Sequence, residues 1–297
     1  MRAIAILNPA AGWRRSLELR KQLERAFPRH GISCEIVLTE KPGDAFDLAK
    51  QAADHEFELV VACGGDGTVN EVANALVGSR TALGIVPIGS VNVLARELGV
   101  PLRAADAVRA IARGSPKPID VGCANGRYFT LMAGFGFDAE VVANVLQPIK
   151  DWIGTSAYVL SALETLAKYR ATDVTLEMPN ETYSTKAFLV IVANASTYSY
   201  NLKMAPLAVP DDGLLDICVF ERPITDRIGF VRQVADVFVH RHLYHRAVRY
   251  FRTNRVTVKS EPEILMQLDG DAFGCTPVEI ALSPGALNVI MPRASGE

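Results

Sequence analysis

A chain of 297 residues with 49% hydrophobic and 22% charged residues has the balance of a globular protein able to bury a full core, as two domains or one large one. Its net charge of −2 excludes a global pull towards nucleic acid or anionic membrane, so any basic site must be a local patch. The five cysteines, Cys34, Cys63, Cys123, Cys218 and Cys275, form no C-x-x-C pair and lie in or beside apolar runs, which reads as a reduced, cytosolic chain.

The opening MRAIAILNPAAG resembles a short signal peptide only superficially. Its apolar run ends at Asn8-Pro9 and Arg14-Arg15 follow, so it reads as a first strand entering a loop. No run reaches the ~18 apolar residues of a membrane helix; AFLVIVANA, Ala187 to Ala195, has strand length. The expectation is a soluble protein that can still touch a membrane surface. After RAIAIL come a helix from Ser16 to Phe27, the strand ISCEIVL, a helix from Asp44 to Ala53 and the strand FELVVAC. A helix from Thr68 to Val77, the strand ALGIVPI and a helix from Val91 to Leu98 continue the alternation. Such alternation implies a parallel sheet covered on both faces, with ligands bound outside the carboxyl ends of the strands.

After Asp120 the texture changes. Helices from Asp138 to Gln147 and from about Ser156 to Tyr169 precede the alternating runs ATDVTLEM, TKAFLVIVANAS, GLLDICVF, RAVRYFR, RVTVKS, ILMQLDG and PVEIAL. Consecutive strands with turn signals between them predict an antiparallel sandwich or barrel-like second domain. The expected division is an α/β domain over residues 1–122 and a β-rich domain over 123–285, with 286–297, containing ALNVIMP, returning to the first.

Three loops leave the carboxyl ends of the first-domain strands: NPAAG, CGGDGT and PIGSVN. Gly64, Gly65 and Gly67 permit positive φ and let backbone N–H groups approach an anion, and the helix beginning near Thr68 adds its positive end. The loop is neither G-x-G-x-x-G nor G-x-x-x-x-G-K-[ST], so it is not a dinucleotide fingerprint or a P-loop. Asp66, between two glycines, is the discriminating feature. A carboxylate at a phosphate site is tolerable where a divalent cation bridges it to phosphate oxygens, or where it orients a substrate hydroxyl. The plainer reading is that it satisfies loop N–H groups as an Asx-turn. Gly89, Ser90 and Asn92 offer small donors at the next strand end, and Asn8 and Gly12 at the first; together they suggest a nucleotide site.

GGDGTVNEV, with NPAAG before it and PIGSVNVLARELGVP after it, resembles the diacylglycerol kinase catalytic-domain family in its soluble bacterial branch. The likeness continues through IDVGCANGRYF, GFGFDAEVV, VPDDGLLDICVF, QLDGD and PGALNVIMP, covering nearly the whole chain. Sphingosine and ceramide kinases share this domain, and NAD kinases share the GGDG loop and the two-domain plan of an α/β domain followed by a β-sandwich. The resemblance implies transfer of the γ-phosphoryl of ATP to a lipid hydroxyl with Mg2+. It implies that Asn8, Gly12, Thr39, Gly64, Gly65, Asp66, Gly67, Thr68, Glu71 and Ser90 line the nucleotide site, Ser90 standing where Thr is usual. Asp66 and an acid of QLDGD would act beside the transferred phosphoryl, Asp271 as general base, and Asp120 resembles a further acid of the site. VPDDGLLD resembles the magnesium loop, with the Asp212 side chain and the carbonyls of Val209 and Leu214 as ligands, an oxygen set suited to a hard cation.

One departure bears on chemistry: relatives usually read D-G-E where this chain reads D-G-D. The lost methylene retracts the carboxylate by roughly 1.5 Å, one C–C bond. Two rival readings follow, an NAD-kinase-like enzyme with a soluble acceptor and a nucleotide- or lipid-binding protein with little turnover. The expected partners are a lipid alcohol and, transiently, a membrane surface, with a cytoplasmic location, no nucleic acid, and a homodimer left open.

Three further features have bland and functional readings. His240, His242 and His245 lack H-x-x-x-H spacing and a completing ligand, so a solvated helix end is preferred over zinc. Arg241, Arg246, Arg249, Arg252 and Arg255, interleaved with Tyr244, Tyr250 and Phe251, read as strand alternation or as a basic, aromatic patch for anionic lipid. Trp152, Ile153, Tyr158, Val159, Leu160 and Leu163 read as core, with an apolar wall for lipid as the functional alternative.

Overall fold

Six-residue apolar strands, each followed by a helix, build the first part of the molecule. The computed structural model describes residues 1–9, 13–144, 165–166, 168–200, 202–223 and 225–292. The chain divides into two units, Met1–Val121 with the segment from Ser283, and Gly122–Leu282.

In the first unit β1 (Arg2–Leu7), α1 (Trp13–Arg29), β2 (Ser33–Leu38), α2 (Asp44–Asp54), β3 (Leu59–Gly64), α3 (Asp66–Leu76), β4 (Ala82–Pro87), α4 (Val93–Glu97) and α5 (Ala104–Arg113) follow in order. The strands pair in parallel in the order β4-β3-β1-β2. Every residue of β3 and β4 is buried, as central strands covered on both faces require. Helix α2 turns Ala45, Ala49 and Ala52 inward at helical spacing. Its start is fixed twice over. Asp44 accepts the N–H groups of Glu40 and Lys41 at 2.7 and 2.9 Å, and Glu71 of α3 accepts those of Gly43 and Ala45 at 3.1 and 3.2 Å. The C-terminal segment joins this unit: Val289 pairs in parallel with Leu83, and Gly78 N–H donates to Ala286 O at 2.8 Å.

β5 (Ser115–Ala124) leads into the second unit, followed by β6 (Arg127–Phe129), β7 (Met132–Gly136), α6 (Phe137–Asn144), β8 (Thr172–Glu177), β9 (Thr182–Ala193), β10 (Thr197–Ser199) and β11 (Leu202–Lys203). Then come β12 (Leu215–Glu221), α7 (Asp226–Phe238), a 3-10 turn (His242–Tyr244), β13 (Val248–Thr253), β14 (Arg255–Glu261), β15 (Leu265–Leu268), β16 (Asp271–Cys275) and β17 (Val278–Met291), whose later residues belong to the first unit. The pairing within the second unit is antiparallel. β9 is its spine, bound to β8 along its first half and to β7 and β12 along its second. β15 joins β7 to β16, and β12 carries β13. Phe129, Phe135, Val190, Val192, Ile217, Val219 and Val258 fill the core of this unit. Each such side chain contributes about 1.5–3 kcal/mol of burial.

The sequence leaves α5, β5, β6, β7, β10, β11, α7 and β16 without elements, and it runs ILMQLDG on as one strand. The chain instead turns at Asp269-Gly270, where φ is 47° and 90°, and Leu268 pairs with Asp271 across it. That is a two-residue hairpin of the type that Asp-Gly favours. Among the cysteines, Cys275 is exposed rather than embedded, 3.3 Å from Glu263 Oε2. Most of the second expected helix lies outside the described residues, as do Trp152, Ile153, Tyr158, Val159, Leu160 and Leu163.

Candidate active site

In the first unit, the glycine loop and its neighbour are fitted to each other. A Cβ on Gly89 would fall 2.5 Å from the Gly65 Cα, and one on Gly64 would fall 2.4 Å from the Thr68 hydroxyl oxygen. A Cβ on Gly67 would meet nothing within 4 Å. None of these four glycines has positive φ, so the sequence argument for left-handed freedom fails at this loop. Gly64, Gly65 and Gly89 are there for room, and Gly67 leaves open space at the start of α3. The left-handed residue is Asn92, at φ 54°, a conformation that Asn tolerates. Its amide bonds Gly89 both ways, Oδ1 accepting at 3.0 Å and Nδ2 donating at 2.8 Å.

Asp66 accepts backbone N–H groups, chiefly from the neighbouring loop. Asn92 N–H donates to Oδ2 at 2.9 Å and Val93 N–H to Oδ1 at 2.5 Å. Burial pushes its carboxyl above the usual range, while the N–H groups of Val93 and Asn92 and those of Asp66 and Leu94 pull the other way. The carboxylate thus ties the CGGDGT loop to PIGSVN. Asn8 Nδ2 donates to the Thr68 hydroxyl at 2.9 Å, bringing the first loop to the same place. Thr39 is buried and its N–H donates to Leu7 O at 3.1 Å, next to that loop. Ser90 is exposed. Glu71 is committed to the start of α2, where it accepts the N–H groups of Gly43 and Ala45. Asp120 is buried and accepts Gly285 N–H at 2.7 Å. Gly12 lies outside the described residues.

In the second unit, the two acids of QLDGD have opposite surroundings. Asp269 accepts the N–H groups of Thr130, Leu131 and Met132 at 2.8–3.0 Å and the Thr130 hydroxyl at 3.1 Å. Burial raises its pKa against those donors. It fastens the hairpin to the chain leading into β7 and to the first residue of that strand. Asp271, at the far end of the turn, has a side chain 54% exposed and stands 3.4 Å from the Arg127 guanidinium. Arg127 in turn lies over the Phe273 ring at 5.3 Å, which limits where it can go.

The loop VPDDGLLD gathers Asp212 and Asp216 around one cation. Asp212 Oδ1 accepts Leu214 N–H at 3.1 Å and its Oδ2 pairs with Arg252, while Arg252 Nε is 3.2 Å from the buried Asp216 carboxylate. Burial raises the Asp216 pKa, with Tyr250 and Arg252 lowering it and Asp212 raising it further. Two carboxylates share one guanidinium, so the loop keeps a negative surplus, and Val209 beside it is exposed. Among the described residues no group of three or more His, Cys, Asp or Glu converges on a common point. A cation here would depend on backbone carbonyls as much as on Asp212. The oxygen donors and surplus charge fit a hard divalent ion, and Arg252 is its competitor.

Comparison with known proteins agrees with both halves. The profile of the diacylglycerol kinase catalytic domain matches residues 2–124, and that of the YegS C-terminal NAD kinase beta sandwich-like domain matches residues 132–291. A diacylglycerol kinase of Bacillus subtilis (strain 168) is 32% identical over 100% of this chain and 98% of its own. The chain belongs to the diacylglycerol kinase family. A diacylglycerol kinase of Staphylococcus saprophyticus is 29% identical over 93% of this chain and 90% of its own. Among solved structures from Bacillus anthracis str. Sterne, one has TM-score 0.82 and 27% identity over 98% of this chain and 95% of that one. Another, a diacylglycerol kinase, has TM-score 0.75 and 25% identity over 98% and 96%. The α/β unit and the β-sandwich unit are those of this lipid kinase family.

Within that family frame, one constellation escaped the sequence. Asp138, buried at the start of α6, accepts the Tyr198 hydroxyl and, at 2.7 Å, Gln267 Nε2. Gln267 Oε1 accepts Gly270 N–H at 2.7 Å, inside the turn that presents Asp271. Burial raises the Asp138 pKa, and Tyr198 and Gln267 lower it. The signal was available in GFGFDAEVV: Gly134 stands four residues before the acid, and a Cβ there would fall 2.0 Å from Asp138 Oδ2. The three histidines do not converge. His242 is buried against Met204 O, His245 pairs with Asp236, and His240 is exposed.

Proposed function

We propose that this chain transfers the γ-phosphoryl of ATP to the hydroxyl of a lipid, diacylglycerol being the first acceptor to test. The observation that carries this reading is the match to diacylglycerol kinases along the whole chain, 32% identical over all of it. The loop geometry supports it. The Gly64–Thr68 loop, with Asn8, Gly12, Thr39 and Ser90, holds the phosphates, and the open space beside Gly67 at the start of α3 receives an anion. Asp66 holds the two loops in register, and Glu71 ties α3 to the start of α2.

In the proposed step Asp271 accepts the proton of the lipid hydroxyl as its oxygen bonds to the γ-phosphorus. The bond from that phosphorus to the bridging oxygen breaks, and ADP leaves with the electron pair. Arg127 keeps Asp271 oriented. Phosphoryl transfer asks the protein mainly for position and charge compensation, so an exposed aspartate is adequate if the acceptor is brought to it. When bound, Mg2+ would neutralise phosphate charge, and Asp212 with the carbonyls of Val209 and Leu214 are the residues proposed to hold one such ion. The lipid acceptor requires work at a bilayer surface from the cytoplasmic side.

The test is transfer of label from ATP with Mg2+ to lipid alcohols in mixed micelles, wild type beside Asp271→Ala. We expect labelled diacylglycerol or a related alcohol, reduced about 100-fold or more in the variant, the usual range for loss of a general base. Labelled NAD in place of lipid, or ATP binding with no lipid labelled by either wild type or Asp271→Glu, would overturn the reading.

A further inference from the structure

Helix α7 is apolar on two opposite faces. Its inner face is fixed: Phe230 stacks on Phe188 with ring centroids 4.6 Å apart and meets Phe137 edge-on at 5.1 Å, and Gln233 Nε2 donates to Ala247 O at 2.8 Å. Those contacts set the rotation of the helix. At about 100° per residue they turn Ile228, Val231, Ala235 and Phe238 to the other side. There Ile228 is 80% exposed, Val231 46% and Phe238 68%, followed by Val239 at 59% and Tyr244 at 86%. Five of the eleven exposed large apolar side chains among the described residues fall between Ile228 and Tyr244. A helix lying on a folded core normally turns charge to water on this side, and a continuous apolar face there marks an interaction surface.

Among the described residues, the charges left unpaired along that segment have one sign. From Arg222 to Arg246 the chain carries five arginines and two aspartates, against a net −2 for the whole. Both aspartates are taken, Asp226 by Arg222 at 3.2 Å and Asp236 by His245. Arg227 donates to Tyr169 O at 3.3 Å. Arg249 and Arg252 of the following strand are held by Glu221, Asp212 and Asp216. Arg232, Arg241 and Arg246 are exposed, and no carboxylate of the described residues pairs with them.

We propose that the outer face of α7, with Tyr244 and these three arginines, is the surface by which the protein docks on an anionic membrane. The apolar side chains enter the boundary between headgroups and acyl chains, and the guanidinium groups meet lipid phosphates. An aromatic side chain as exposed as Tyr244 suits the headgroup level. No helix among the described residues is long and apolar enough to cross a membrane, so the contact is interfacial. A second copy of the chain fits the face less well, because a twofold contact would set the same arginines against each other. The choice of a membrane rests on the lipid kinase reading; the surface itself does not.

The experiment is co-sedimentation with vesicles of phosphatidylcholine, with and without phosphatidylglycerol. It compares the wild type, Ile228→Ser with Phe238→Ser, and Arg232→Gln with Arg241→Gln and Arg246→Gln. We expect binding that needs phosphatidylglycerol and weakens with salt. The arginine set should lose roughly fivefold per residue, and the apolar pair tenfold or more. All substituted side chains are exposed, so circular dichroism and melting should match wild type. Kinase activity on a dispersed short-chain acylglycerol should be retained, and activity on vesicle lipid lost. Vesicle binding by both variants equal to wild type overturns the proposal even if lipid is phosphorylated. Loss of binding in the variants upholds it even if no acceptor is found. A lipid-free dimer that both variants break would assign the face to a second copy and also overturn it.

Discussion

Gly65 and Gly89 face each other across two loops so closely that a Cβ on Gly89 would lie 2.5 Å from the Gly65 Cα. The obstacle is backbone, which cannot swing aside. Gly89→Ala should cost about 1–3 kcal/mol and lower ATP affinity with it. Gly67→Ala separates the two roles. Its Cβ meets nothing within 4 Å, its φ is not positive, and Ala is the better helix former by up to about 1 kcal/mol. We expect Gly67→Ala to melt no lower than wild type while its KM for ATP rises about tenfold, equivalent to ~1.4 kcal/mol. An unchanged KM would mean that no phosphate approaches that backbone.

The Asp138–Gln267–Gly270 chain predicts a positioning effect. Asp138→Asn keeps an oxygen for the Gln267 amide but disturbs the Tyr198 contact, loosening the turn that carries Asp271. Turnover should fall about tenfold, with KM for ATP unmoved, and the loss should not add to that of Asp271→Asn, because both act through one carboxylate. Additive losses in that double variant would place Asp138 outside the chemistry of Asp271.

What the sequence made legible was whatever local pattern determines. Strands β1 to β4 were readable because buried apolar runs alternate with amphipathic helices. The glycine loop was readable because glycine and small polar residues cluster at strand ends. The contacts that give Asp66 its partners are not local, since Asn92 and Val93 lie more than twenty residues away and the same acid suits a metal equally well. Helix α7 was missed because its pattern is apolar on both sides, which blurs a single 3.6-residue period. The Asp269-Gly270 hairpin is legible too, since Asp-Gly beside apolar residues is a turn signal, but the apolar run of ILMQLDG reads as one strand and masks it.

The shared guanidinium makes a prediction about metal and stability together. Arg252→Ala leaves the buried Asp216 without its counter-charge, which should cost on the order of 3 kcal/mol. Mg2+ should raise the melting temperature of the wild type beyond the effect of KCl at matched ionic strength, since a ligand at 100 times its Kd adds about 2.7 kcal/mol. That gain should vanish in Asp212→Asn. Equal gains in wild type and Asp212→Asn would remove this loop from the list of magnesium sites.

His242 links the stability of the second unit to pH. It is buried, stacked on Phe220 with centroids 5.8 Å apart, its Nε2 3.1 Å from Met204 O and its buried Nδ1 without a partner among the described residues. Burial lowers its pKa below 6.5, with His240 and His245 acting in the same direction and Met204 O and Asp236 opposing. The folded chain therefore holds His242 neutral where the unfolded chain protonates it. Below about pH 6.5 the unfolded state binds more protons, so stability falls as pH falls, and above it the term vanishes. The raised carboxyls of Asp138, Asp216 and Asp269 act in the opposite sense: each binds its proton earlier in the folded chain, which favours that state as pH falls through their raised values towards 3.8. Those carboxyls are common to wild type and His242→Gln, so the difference between the two proteins isolates the histidine. In thermal melts from pH 7.5 to about 5.5, a window set by the reference histidine value, His242→Gln should start less stable than wild type and lose less on acidification. Parallel slopes for the two proteins would show that the buried imidazole takes its proton as readily in the folded chain as in the unfolded one.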